Sequence, residues 1–196
     1  MSRYLRPRVP GASVFFTVAL VDRGADTLVA HVDVLREAVR VTRSKRPFKI
    51  DAWVVLPDHM HCVWTLPEGD SDYSNRMSEI KGRFTKGLRR SGPAPTHMPS
   101  NPYGARGGRD RVGAGLGERV GAGPDLHKNE APIWQKRFWE HHIRDEAAFA
   151  ACVRYCWINP VKHGLVGHPG EWPYSSWHRD GGGRGLQTAI FLVTKD

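Results

Sequence analysis

Cysteine is scarce in this chain: Cys62, Cys152 and Cys156 are the only three among 196 residues, an odd number with no paired-loop spacing. A chain of this length and apolar content builds a core without cross-links, so the scarcity argues against a disulfide-framed secreted module and fits a reducing cytoplasm. Acidic side chains are also in deficit, at 20 against 29 Lys and Arg, which leaves a formal net charge of +9. A positive surface potential suits nucleic acid or an anionic membrane surface, and its sign alone does not choose between them. Long apolar runs are missing too. The N-terminal run within "MSRYLRPRVPGASVFFTVALVDRG" extends for only about ten residues, alternates Val14, Phe16, Val18 and Leu20, and lacks a small-residue cleavage site. It reads as a strand, and no membrane-spanning segment and no membrane partner are expected.

What is present is unevenly placed. Residues 1–50 hold ten Lys and Arg against four Asp and Glu, and residues 76–90, "RMSEIKGRFTKGLRR", hold six against one, so the positive charge is concentrated enough to suggest a footprint on a phosphate backbone. "SVFFTVALV" (13–21) is a strand pattern, and residues 31–44 repeat apolar positions at helical spacing through Val32, Leu35 and Val39. "FKIDAWVV" (48–55) and "HCVWTL" (61–66) flank a turn, "LPDH", and predict a hairpin. Residues 74–90 predict a basic helix, 134–144 a fourth strand, and 145–159 a last helix stopped by Pro160.

Residues 91–131 contain nine Gly and five Pro, and repeat "RVGAG" at 111–115 and 119–123, a composition that predicts a disordered loop. The expected organisation is therefore one domain over residues 1–180, interrupted by that loop, with a short tail at 181–196. The order of elements is that of an α+β protein on an antiparallel sheet, close to the ferredoxin-like arrangement.

The hairpin raises a chemical question. Alternation puts His59, His61, Val63 and Thr65 on one face of the strand and Met60, Cys62, Trp64 and Leu66 on the other, which is a clean core face. Two imidazoles at i and i+2, with Cβ atoms about 6–7 Å apart, can aim ring nitrogens at one ion; equally, they can be half-buried side chains satisfied by hydrogen bonds.

The last helix buries Phe149, Cys152, Val153, Cys156 and Trp157, and carries Tyr155 and Asn159 together on one shoulder of that stripe. A phenol is a poor nucleophile near neutral pH, but a divalent cation held by two imidazoles and the Asn159 amide would favour phenolate attack on phosphate. Two other readings remain: a structural zinc site from His59, His61, Cys152 and Cys156, and a nucleic-acid-binding module without catalysis.

In order along the chain, "WVVLPDHMHCVWTLPEGD", "SEIKGRFTK", "IWQKRFWEHHIRDE", "YCWINPVKHGLV" and "WPYSSWHRD" resemble the REP-associated tyrosine transposases of bacteria, which belong to the single-tyrosine HUH nucleases. The resemblance covers roughly residues 1–90 and 132–180. It implies a ferredoxin-like HUH fold and a Mg²⁺- or Mn²⁺-dependent endonuclease and strand transferase acting on single-stranded hairpin DNA, the repetitive extragenic palindrome. His59 and His61 fall on the family's metal-binding histidines, Tyr155 on its nucleophile, and Asn159 is the expected third ligand. The implied product is a 5′-phosphotyrosine and a free 3′-OH. Candidate DNA contacts are Arg3, Arg6, Arg8, Lys81, Arg83, Lys86, Arg89, Arg90, Arg137, Arg154 and Lys162, expected as a cluster rather than one by one. Family analogy favours a monomer.

Overall fold

The computed structural model describes residues 7–91 and 132–180. In chain order these form β1 (Ser13–Ala19), α1 (Thr27–Ala30), α2 (Val32–Lys45), β2 (Lys49–Val55), β3 (His59–Thr65), α3 (Tyr73–Ser91), β4 (Trp139–His142), α4 (Glu146–Lys162) and α5 (Trp177–Asp180). Every strand pair is antiparallel and the sheet order is β2-β3-β1-β4, the ferredoxin-like order that the element sequence predicts. Arg3, Arg6, the segment after Ser91 expected to be a disordered loop, and the tail 181–196 lie outside the described residues. Among the described residues no helix is long and apolar enough to cross a membrane.

Strand alternation sorts the apolar side chains into two layers. Val14, Phe16 and Val18 of β1 with Met60, Cys62 and Trp64 of β3 face α2 and α3, where Leu35, Ala38, Met77, Ile80 and Phe84 complete a fully buried cluster. Phe15, Ala52, Val54 and Val63 face the other way and meet Cys156 and Trp157 of α4. The helical stripe expected for α4 is therefore its packing face, with Phe149, Cys152 and Val153 partly buried at its margin.

The β2–β3 turn is pinned from outside. Leu56 N–H donates to the His59 carbonyl at 2.8 Å, Leu20 N–H to the Asp58 carbonyl at 2.8 Å, and Leu28 N–H to the Pro57 carbonyl at 3.0 Å. Proline at the second turn position sets the bend, and these contacts hold Asp58 and His59 in one orientation.

The outer edge of β2 is covered by the "WPYSSWHRD" segment. Ser176 N–H donates to the Trp53 carbonyl at 2.7 Å, Val55 N–H to the Tyr174 carbonyl at 2.9 Å, and Trp172 Nε1–H to the Val55 carbonyl at 2.9 Å. Unpaired strand edges template association, so this strap protects the sheet.

One boundary differs from expectation. Helix α4 does not stop at Pro160 but runs to Lys162. Proline removes one N–H and crowds the preceding turn, a penalty confined to one turn. The helix recovers because His163 N–H reaches the Asn159 carbonyl at 3.0 Å and Leu165 N–H the Pro160 carbonyl at 2.9 Å. Gly164, at φ +67°, ends it in the left-handed conformation that glycine adopts without strain.

Candidate active site

His59 and His61 open β3 and lie with their rings 5.0 Å apart, on the face opposite the apolar core layer. Each ring is fixed through Nδ1. The Asp58 carboxylate accepts from His59 Nδ1–H at 2.5 Å and is itself braced by Arg23 Nε at 3.3 Å. Thr17 Oγ1 and His61 Nδ1 are hydrogen-bonded at 2.9 Å, because Thr17 stands directly opposite His61 in the β1–β3 register. An oxygen partner on one ring nitrogen orients the other, so both Nε2 atoms are left to act as ligands. Burial first, then the positive charges around it, push the His61 pKa down to about 2. It is therefore a neutral imidazole, the form that ligates metal.

Tyr155 brings its ring edge-on to His61 at 5.1 Å and edge-on to Phe15 at 5.7 Å, while Phe15 lies nearly parallel to His61 at 5.6 Å. Tyr155 remains 37% exposed, so an incoming strand can reach it. Lys162 Nζ sits 5.6 Å from the centre of the Tyr155 ring. Lys162 thus places a cation beside the tyrosine from two turns further along the same helix.

Asn159 occupies a different environment from the shoulder position expected for it, being 0% exposed. Tyr155, Asn159 and His163 follow one another at four-residue intervals along α4 and share one line of the helix. The ends of that line meet the histidine pair, Tyr155 at His61 and His163 at His59 with a ring separation of 5.1 Å. Asn159 is held between them, and neither its Oδ1 nor its Nδ2 has a hydrogen-bond partner. A buried amide without a partner costs about 1–3 kcal/mol, and Asn159 is the one unpartnered buried group on the line that joins Tyr155 to His163, the others among the described residues being Thr42, Trp53, Trp64 and His142.

Among the described residues no three His, Cys, Asp or Glu side chains gather as a metal centre. The zinc alternative fails on this point, since Cys156 is buried in the α4 core layer and burial raises both its thiol pKa and that of Cys152. What the fold brings together is the two imidazoles, 5.0 Å apart, facing the helix that carries Tyr155 and Asn159.

The expected DNA contacts divide by location. Arg154 is exposed on α4 beside Tyr155, and Arg137 precedes β4. Lys81, Arg83, Lys86, Arg89 and Arg90 belong to α3, which covers the opposite face of the sheet, so the fold does not bring them to Tyr155. Lys81 Nζ donates to the Gln135 carbonyl at 2.8 Å, and Arg83 pairs with Glu79 at 2.6 Å. Arg8 is exposed in the segment leading to β1.

Thr17, Arg23, Asp58 and His163 belong to the site although the sequence pattern did not single them out. Thr17 is, with Ser13, one of two polar residues in an otherwise apolar strand, and Asp58 immediately precedes the first histidine. His163 is hidden by ending the helix at Pro160, because the interval Tyr155, Asn159, His163 exists only if the helix continues.

Comparison with known proteins bears on this geometry. No family model matches the chain. It is 41% identical over 180 residues to a REP-associated tyrosine transposase of Escherichia coli, covering 92% of this chain and 85% of the relative. A candidate member of the same transposases from Haemophilus influenzae is 36% identical over 180 residues, covering 92% and 88%. The solved structure of a REP-associated tyrosine transposase bound to a REP hairpin superposes with a TM-score of 0.68 at 40% identity, covering 92% of this chain and 85% of that one.

Proposed function

The chain belongs to the REP-associated tyrosine transposases, and on that basis we propose that it is a metal-dependent endonuclease and strand transferase of the HUH type. Its substrate in this reading is a single-stranded form of the REP hairpin bound by the related structure, and in the same reading it works in the cytoplasm as a monomer. The observation that carries the reading is the approach of Tyr155 to His61 at 5.1 Å, with Lys162 over the tyrosine ring and the unpartnered Asn159 amide one turn along the same helix.

The residues suit Mg²⁺ or Mn²⁺: His59 Nε2, His61 Nε2 and Asn159 Oδ1 make a mixed nitrogen and oxygen set that leaves room for substrate oxygens. Such an ion supplies charge to a phosphate oxygen and so lowers the barrier to displacement. The protein does the rest. The Tyr155 phenol gives up its proton to solvent as its oxygen attacks phosphorus, a Tyr–O–P bond forms, the bond from phosphorus to the 3′ oxygen breaks, and that oxygen takes a proton from solvent and leaves as a hydroxyl. Lys162 Nζ, 5.6 Å from the centre of the Tyr155 ring, offsets negative charge that develops on the reacting phosphate. Phe15 meets the tyrosine ring edge-on and restricts its orientation. Because the phosphotyrosine retains the bond energy, a 3′-OH can reverse the step and join strands without a nucleotide cofactor.

The test is a denaturing protein gel after incubation with Mn²⁺ and end-labelled hairpins carrying REP sequences. The expected result is a slow band containing only DNA from the 3′ side of the cut, absent with chelator and in Tyr155→Phe. Tight hairpin binding with no adduct under either metal would replace this reading with that of a binding module.

A further inference from the structure

The active-site face of the sheet continues past the histidines to β4, and there it carries an aromatic pair that the cleavage chemistry does not use. Thr17 stands opposite both His61 and Trp139, and Phe15 opposite both Val63 and His141, so Trp139 lies in the same cross-sheet row as His61, two strands away. Strand spacing puts that separation at about 10 Å, or about three stacked base steps. Trp139 is 57% exposed, among the most exposed large apolar side chains of the described residues.

Its plane is nonetheless set by neighbours. His141 lies parallel to it, with ring centroids 5.9 Å apart at 7°, and Phe15 meets it edge-on at 5.8 Å. Phe15 is also the ring that touches His61 and Tyr155, so one side chain couples the platform to the reacting groups. The exposed cations Lys136 and Arg144 flank β4 on either side. A preset aromatic face between cations, continuous with a nuclease site, has the chemistry that holds an unpaired base with its phosphates.

We infer that Trp139, backed by His141, stacks an unpaired nucleobase within about three nucleotides of the scissile phosphate, and so positions the single-stranded flank for attack by Tyr155. The inference rests on the nuclease reading for the identity of the flank, but its own claim is about base stacking on this strand.

Binding is measured by fluorescence anisotropy in chelator, with two probes: a REP hairpin carrying single-stranded extensions at its foot, and the same hairpin blunt-ended. Stacking on an aromatic side chain is sequence-tolerant and its loss on substitution by alanine corresponds to roughly 5- to 100-fold in affinity. Trp139→Ala is expected to lose that factor on the extended hairpin alone, Trp139→Phe to retain most of the affinity, and both to bind the blunt hairpin as wild type does. An abasic nucleotide at the stacked position is expected to remove the difference between wild type and Trp139→Ala. Unchanged affinity of Trp139→Ala for the extended hairpin, or an equal loss on both probes, overturns the platform. If wild type forms the phosphotyrosyl adduct and the flank-specific loss is absent, the platform falls and the nuclease stands. A flank-specific loss in a protein that forms no adduct upholds the platform and removes the nuclease.

Discussion

The two faces of the sheet are made from alternate residues of the same strands and share every backbone hydrogen bond, yet they differ in kind. Toward α2 and α3, Phe16, Met60, Cys62 and Trp64 are fully buried among apolar neighbours. Toward α4, the residues between them are Phe15, Thr17, His59 and His61, and α4 itself contributes a buried amide with no partner and a half-open tyrosine. The first face is apolar apart from the unpartnered Trp64 Nε1 and Thr42 hydroxyl, whereas the second gathers imidazoles, a hydroxyl, an amide and a phenol. Stability and chemistry are therefore separated by a one-residue step along β3, and substitutions on the two faces should have opposite signatures.

The largest effect is expected on the sealed face. Trp64 packs against Phe48 at 4.3 Å and Phe16 at 4.7 Å, so Trp64→Ala opens a cavity in a region with no free space to collapse into. A loss of about 3–5 kcal/mol is expected in urea unfolding. The molecules that remain folded at low temperature should still form the phosphotyrosyl adduct, since no reacting group lies on that side. Loss of adduct at full folded fraction would mean that the layers are not independent.

The chemical face should respond in the other direction. Asn159→Leu replaces a partnerless amide with an apolar side chain of similar shape, so stability is expected to rise by about 1–2 kcal/mol. Mn²⁺ affinity, followed by the electron paramagnetic resonance signal of the free ion, should fall, and the adduct should disappear. A destabilised Asn159→Leu protein would show that the amide is already satisfied by the fold, and would remove the strongest argument for its role as a ligand.

The sealed face was the more legible of the two from sequence, and the reason is physical. Burial leaves a period-two signature, so the assignment of Met60, Cys62 and Trp64 to the core and of His59 and His61 to the other face follows from alternation alone, as does the strand–helix order behind the ferredoxin-like sheet. The site was legible in part. Tyr155 and Asn159 emerge from helical spacing, but His163 does not, because Pro160 was given the power to end a helix that the following turn repairs. Thr17 and Arg23 reach the histidines only through the β1–β3 register and the turn after β1, which no local pattern encodes. The basic α3 helix shows the converse: its charge density is plain in the sequence, but which face of the sheet it covers is decided by packing.

A smaller effect sharpens the comparison within the chemical face. Asp58 touches no substrate in the proposed mechanism; it holds His59 by Nδ1 at 2.5 Å. Asp58→Asn keeps the shape and weakens that hold, and partners of this kind are worth about 10–100-fold in metal affinity. Mn²⁺ titration should show a loss in that range, with a stability change below about 1 kcal/mol, because Arg23, which is paired with this carboxylate, is half-exposed. A loss of adduct with unchanged metal affinity would assign Asp58 to a different task.

The smallest expected effect lies at the rim of the sealed layer, where its polar contacts are confined. The buried Arg76 guanidinium joins the start of α3 to the end of α2, donating to the Pro47 carbonyl at 3.0 Å, the Asp72 carbonyl at 2.8 Å and the Asp70 carboxylate at 2.5 Å. The Arg76 hydrogen bond, and next the Asp72 backbone N–H, hold the Asp70 carboxyl below its ordinary pKa. A carboxyl depressed in the folded state stabilises the fold above its unfolded pKa of about 3.9, and that stability is lost as pH falls from there through the lower folded value. Asp70 is 32% exposed, so solvent screens the pair and the amplitude is small. Wild type should therefore exceed Asp70→Asn in urea midpoint near neutrality, and the gap should close as pH falls below about 4. A gap that persists unchanged into acid would mean that the contribution of Asp70 is its geometry at the helix junction rather than its charge, and that even the rim of this face is held by shape.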